Sequence, residues 1–133
     1  MRRLGGGGLA RALRDLAARS PSEVEVDAGP DAVGDATAET ALYYVCLEAM
    51  SNAAKHASAR TLRIAIRRQG GVLEAVVSDD GVGGADGEGA GFIGLADRLA
   101  ALGGRLRVES PPGAGTSVTA VVPISRSSAT PSA

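Results

Sequence analysis

The chain has 133 residues, enough for one core, and its 44% hydrophobic and 22% charged content is that of an ordinary globular domain. A net charge of -1 and only three aromatic residues, Tyr43, Tyr44 and Phe92, argue against a nucleic-acid binder, which needs a basic surplus or base-stacking platforms. The single cysteine, Cys46, excludes an internal disulfide and a cysteine-only zinc site, and no apolar run approaches the roughly 18 residues of a membrane helix.

Residues 1–8 contain four consecutive glycines and read as a disordered lead-in. Arg11 and Arg14 interrupt any apolar run near the start, so a secretory signal is not expected and the expected address is the cytoplasm. Leu9, Leu13, Leu16 and Ala17 recur at helical spacing, and Pro21 stops the pattern after Arg19. Glu23 to Asp27 alternates strictly, as a half-buried strand does. Gly29 to Gly34 is a turn region. Asp35 then reads as the N-cap of a long helix from about Ala36 to about His56, with Glu39 near the positive end of its dipole. Leu42, Val45, Cys46, Ala49 and Ala53 form its apolar stripe, so Cys46 is expected to be buried and inert. Tyr44, Glu48, Ser51, Asn52 and Lys55 form a neighbouring polar stripe.

Thr61 to Arg68 and Val72 to Asp79 read as a hairpin around Gln69-Gly70-Gly71. Asp80 to Gly89 is an aperiodic glycine-rich acidic loop. Phe92 to Leu102 is predicted as a helix ended by Gly103-Gly104. Arg105 to Glu109 and Ser117 to Pro123 are strands joined by a second hairpin turn, and 125–133 is a polar, disordered tail. The expected fold is an α/β two-layer sandwich: a mixed, mostly antiparallel sheet covered on one face by helices, over residues 9–124.

Four stretches have chemistry to offer. Glu48, Asn52 and Lys55 stand at i, i+4 and i+7, so a carboxylate, an amide oxygen and an ammonium share one helix face. That set suits a hydrated Mg²⁺ beside phosphates, although a solvated polar face has the same pattern. In Val76-Val77-Ser78-Asp79-Asp80-Gly81-Val82-Gly83-Gly84 a carboxylate closes a strand and glycines let a ligand approach the backbone. An Asp-capped turn has the same signature. Gly89-Ala90-Gly91-Phe92-Ile93-Gly94 matches a dinucleotide fingerprint, but the preceding strand ends well before Gly89 and no parallel βαβ unit surrounds it. What survives is a set of glycines opening a helix, whose free N–H groups and positive end suit phosphate. Thr116 follows a hairpin turn and offers a hydroxyl. His56, the lone histidine, supports neither a nucleophilic triad nor a His-pair metal site, and as a helix C-terminal residue it is favoured by the dipole.

In this order the stretches resemble one family. EAMSNAAKHA is similar to an N-box, VSDDGVGG to a first glycine box, GAGFIGL to a second, and PPGAGTSV to a terminal glycine-threonine turn. Together they resemble the ATP-binding catalytic domain of the GHKL superfamily, a Bergerat-type fold. RLAALGGRLRVESPPGAGTSVTAVVPI is especially similar to short-lid two-component sensor histidine kinases of the nitrate-sensor subfamily.

The resemblance implies Mg²⁺ and ATP as cofactors. Asn52 would ligate the metal, Glu48 would orient or activate a water near the γ-phosphate, and Lys55 and His56 would touch phosphates. Asp79 would accept from the adenine amino group, with Gly81 and Gly83 shaping that wall. Gly89, Gly91 and Gly94, with Leu95 beside them, would hinge the lid and cradle phosphates, and Thr116 would support the adenine-side hydrogen bonds. The implied partners are a dimerisation domain carrying the phosphoacceptor histidine and, through it, a response regulator, with neither nucleic acid nor direct membrane insertion. The cytoplasmic address would then be that of a soluble kinase or of the inner portion of a membrane-bound one. The chain departs from the pattern in two respects. Gly84 stands where a larger apolar residue is frequent, and no acceptor helix is visible, Leu9 to Arg19 resembling only its tail. An anti-sigma-factor-type serine/threonine kinase and a non-catalytic ATP-binding module are the alternatives.

Overall fold

The computed structural model describes residues 8–54, 60–81 and 90–124. The expected disordered segments at both ends, apart from Gly8, and the positions Lys55, His56, Gly83, Gly84 and Gly89 lie outside the described residues. The elements in chain order are α1 (Gly8–Ala18), β1 (Glu23–Ala28), α2 (Ala36–Asn52), β2 (Thr61–Gln69), β3 (Val72–Asp79), α3 (Ala90–Ala101), β4 (Arg105–Glu109) and β5 (Thr116–Pro123).

The five strands form one sheet in the order β1-β2-β3-β5-β4. β1 and β2 pair in parallel, which a crossover through α2 requires, and the other three pairings are antiparallel. Period-2 alternation sends Leu62, Ile64, Ile66, Leu73, Ala75, Val77, Val118, Ala120 and Val122 to one face, all of them buried. The helices cover that face. The predicted stripe of α2, Leu42, Val45, Cys46, Ala49 and Ala53, is buried throughout, and α1 inserts Leu9 and Leu13. α3 contributes Phe92 and Leu99. No described helix is long and apolar enough to cross a membrane.

The start of α2 and the end of α3 are set by local chemistry. The Asp35 carboxylate accepts from the Ala38 N–H at 2.8 Å, the N-cap expected from the sequence. α3 closes with the Gly104 N–H donating to the Leu99 carbonyl at 2.7 Å and the Gly103 N–H to Ala100 at 2.9 Å. Gly103 adopts the left-handed conformation this Schellman closure needs, φ 84°.

Glu39 does more than face a helix dipole. It is fully buried, and its carboxylate accepts from the Leu9 N–H at 3.1 Å and the Gly34 N–H at 2.8 Å. It thus ties the first turn of α1 to the loop that leads into α2. A carboxylate can be buried at this position because oriented N–H donors replace its lost hydration.

Candidate functional site

The packing of α2 against the sheet decides where the site forms. Gly34 and Ala38, at the start of α2, lie against Leu73 and Ile124, next to the Val72 end of β3. α2 spans 17 residues, about 25 Å at 1.5 Å per residue. β3 spans eight residues, about 26 Å at 3.3 Å per residue. α2 therefore ends level with the far end of β3, where Asp79 sits directly opposite Thr116 of β5. α3 runs back along α2: one groove is lined by Thr37, Thr40, Arg98 and Leu102, and the next by Tyr44, Glu48, Ser51, Gly94 and Leu95. The N-terminus of α3 consequently points to the same pole as Asn52, Asp79 and Thr116.

At that pole the strand-end carboxylate is held rigidly. Asp79 Oδ1 accepts from the Gly81 N–H at 2.8 Å and from the Thr116 N–H at 3.3 Å. Among the described residues no donor reaches Oδ2, so a half-buried carboxylate oxygen remains to accept from a ligand. The Asp-capped turn foreseen as the plain structural alternative is present, and it orients the carboxylate. Thr116 is buried, and its hydroxyl pairs with the Ser110 hydroxyl at 2.6 Å. Gly115, at φ 76°, passes so close to the Asp79 carbonyl that any Cβ there would collide with it.

Asp80, next in sequence, has different work. Its carboxylate accepts from the Arg60 N–H at 2.9 Å, the Thr61 N–H at 3.1 Å and the Thr61 hydroxyl at 2.9 Å. These bonds, the Thr61 backbone bond foremost, hold its pKa below the usual carboxylate value and pin the start of β2 to the end of β3.

The open cleft between α2 and α3 has a volume of about 730 Å³, within the range of small-molecule sites. Glu48 lines it, with Gly94 and Leu95 opposite. Asn52 lies one turn beyond Glu48 on α2 and is half-buried. Of the remaining predicted residues, Gly81 is at the Asp79 turn, and Lys55, His56, Gly83 and Gly89 lie outside the described residues. Helix α3 begins at Ala90, two residues earlier than the periodicity suggests. Gly91 therefore joins Gly94 inside the helix and does not precede it. Among the described residues, the first-turn N–H groups that lack intrahelical acceptors belong to residues 90–92.

Sequence reasoning missed Tyr44, Leu47, Ser51 and Arg98 as cleft residues and Ser110 as the partner of Thr116. Tyr44 and Ser51 were on the polar stripe of α2, which was the available signal. Arg98 lies one turn after Gly94, a relation that gains meaning only once α3 is placed against α2.

Comparison with known proteins gives the architecture a family. The sequence profile described as "Histidine kinase-, DNA gyrase B-, and HSP90-like ATPase" matches residues 37–126, more than half of the chain. The chain belongs to this ATPase family. It is 36% identical over 96 residues to an uncharacterized sensor-like histidine kinase of Chloroflexus aurantiacus, covering 65% of this chain and 16% of that protein. It is 37% identical over 89 residues to the sensor histidine kinase YdfH of Bacillus subtilis, covering 62% of this chain and 22% of the relative. The chain thus spans well under a third of these relatives' lengths. Among solved structures, the histidine kinase domain of the Erythrobacter litoralis EL346 blue-light activated kinase superposes with a TM-score of 0.69 at 26% identity, covering 91% of this chain and 61% of that one. The ATP-binding domain of PrrB from Mycobacterium tuberculosis shares the fold, with a TM-score of 0.64 at 24% identity over 88% of this chain and 91% of that one.

The residues of this ATPase-family chain suit a magnesium nucleotide. Among the described residues no three His, Cys, Asp or Glu side chains gather into a dedicated metal cage. Mg²⁺ does not need one, since it keeps several waters and binds through one or two protein oxygens plus substrate phosphates. Glu48 and Asn52 supply such oxygens one helical turn apart, at the pole that the positive end of α3 faces.

Proposed function

We propose that the chain is the catalytic domain of a sensor histidine kinase: it binds Mg²⁺·ATP and donates the γ-phosphoryl group to a histidine on a separate dimerisation domain, from which a response regulator is phosphorylated. The observation that carries this reading is the convergence at one pole of an oriented base-reading carboxylate, an oxygen-bearing helix face and a helix N-terminus. The names of the two sequence relatives, a sensor-like histidine kinase and a sensor histidine kinase, support the choice of acceptor.

Each residue has a part in the reading. Asp79 Oδ2 accepts from the adenine amino group, held in place by the N–H groups of Gly81 and Thr116. Thr116, buried against Ser110, completes that wall. Asn52 offers its amide oxygen to the metal, and Glu48 orients a water beside the terminal phosphate. Lys55 and His56, which follow Asn52 in sequence, would contact phosphates, Gly83 with Gly81 would shape the adenine wall, and Gly89, Gly91 and Gly94, with Leu95 beside them, would hinge the lid and cradle phosphates. When bound, Mg²⁺ neutralises phosphate charge. Catalysis by the protein is then mostly positioning and charge stabilisation. Transfer breaks the bond between the γ-phosphorus and the bridging oxygen, releases ADP and forms a phosphorus–nitrogen bond on the acceptor imidazole.

The test uses radiolabelled ATP, the chain, and the dimerisation domain of its parent kinase. Label on that domain that is lost in acid and stable in base supports histidine transfer. Acid-stable label points to the serine/threonine alternative, and nucleotide binding without label to a regulatory module. Failure to bind ATP at all overturns the reading.

A further inference from the structure

We infer that Arg98 is the terminal-phosphate sensor of the cleft, the residue by which the chain distinguishes a nucleoside triphosphate from a diphosphate. The inference rests on the nucleotide reading above and assigns a role to a side chain that the nucleotide boxes leave out.

Three observations converge on it. Arg98 lines the α2–α3 cleft together with Glu48 and Ser51. Among the described residues it has no ion-pair or hydrogen-bond partner, the ion pairs there being Arg63–Asp27 and Arg107–Glu109, both on strands. Its path toward the phosphate pole is clear, because Gly94 stands one helical turn before it on the same face. The space where a Gly94 Cβ would sit is open, with nothing within 4 Å. Side chains on a helix lean toward its N-terminus, so a long side chain at 98 extends over position 94.

Electrostatics give the arrangement its purpose. The charged residues among those lining this cleft are Glu48 and Arg98. A polyphosphate placed beside Glu48 brings like charge to a carboxylate, and an unpaired guanidinium across the cleft offsets both. Guanidinium forms bidentate, charge-assisted hydrogen bonds to phosphate, which an ammonium cannot match in geometry. The α- and β-phosphates are served by the first-turn N–H groups of α3 and by the metal. The group that extends farthest along the cleft, the γ-phosphate, meets Arg98.

The test is calorimetric titration of the chain with the β,γ-imido analogue of ATP and with ADP, both in Mg²⁺. Variants are Arg98→Ala, Arg98→Lys and Gly94→Leu, the last filling the lane and leaving the arginine in place. Arg98→Ala should weaken the triphosphate about tenfold, equivalent to about 1.4 kcal/mol, and ADP less than twofold. Arg98→Lys should fall between, and Gly94→Leu should reproduce the selective loss. Equal losses for both nucleotides, or no loss, overturn the inference and leave the nucleotide reading standing. Absence of binding by the unmodified chain overturns both. Melting temperatures separate unfolding from lost contacts, and should Arg98→Ala fail to fold, Arg98→Lys and Gly94→Leu decide the matter.

Discussion

Replacing Asp79 by Asn should change which base the chain prefers, and the structure says in which direction. An ionised carboxylate only accepts hydrogen bonds, whereas an amide has one accepting and one donating end. Oδ1 receives two N–H groups, from Gly81 at 2.8 Å and Thr116 at 3.3 Å. Turning the NH₂ of the substituted amide toward them would forfeit both bonds, at about 0.5–1.5 kcal/mol each. The amide is therefore fixed with its oxygen at the Oδ1 position and its NH₂ at the Oδ2 position. Adenine presents an amino donor at its six position and guanine a carbonyl acceptor. In Asp79→Asn the adenine amino group meets a second donor, and both go unsatisfied at a cost of about 1–3 kcal/mol. ATP should bind roughly 5- to 150-fold more weakly, while GTP binds no worse or better, so the ATP preference shrinks or reverses. Titration of both imido analogues against the two proteins measures the ratio, with melting curves as control. An unchanged ATP/GTP ratio at an unchanged melting temperature would refute a base-reading role for Asp79.

Glu39→Ala should destabilise the fold by about 3–5 kcal/mol, because it strips the Leu9 and Gly34 N–H groups of a charged acceptor in a buried site; a denaturant-melt loss under 1 kcal/mol would contradict that account. Burial pushes the Cys46 thiol up to about 12, so a thiol reagent at pH 8 should label the native chain only as fast as it unfolds, and prompt stoichiometric labelling would show the thiol to be accessible. Asp80 has a folded pKa below its unfolded value, so its contribution to stability is present above the unfolded value near pH ~4 and is lost as pH falls through the folded one. Asp80→Asn should flatten the acid limb of stability below about pH 4, and an unaltered limb would mean that the Arg60 and Thr61 bonds do not discriminate the charged form.

Much of this protein is decided by local pattern. Alternation in Thr61–Gln69 and Val72–Asp79 fixes two strands and their inward residues, because each side chain's face follows from a period of two. The spacing of Leu42, Val45, Cys46, Ala49 and Ala53 fixes the buried side of α2 and therefore which flank carries Glu48 and Asn52. Asp35 and Gly103-Gly104 mark helix ends through backbone chemistry that needs no tertiary partner. Other features depend on long-range assembly. The insertion of β5 between β3 and β4, which brings Thr116 opposite Asp79, is a sheet order that no local pattern encodes. The division of labour between Asp79 and Asp80 depends on which strand end each faces, and neighbouring carboxylates are alike in sequence. Glu39 reads as an exposed first-turn acid until α1, distant in the chain, closes over it. Arg98 reads as a surface arginine of an amphipathic helix until α3 lies antiparallel to α2. Sequence pattern determines the side of an element a residue occupies, because periodicity is local. What stands across from it is set only when the hydrophobic faces of distant elements are buried against one another.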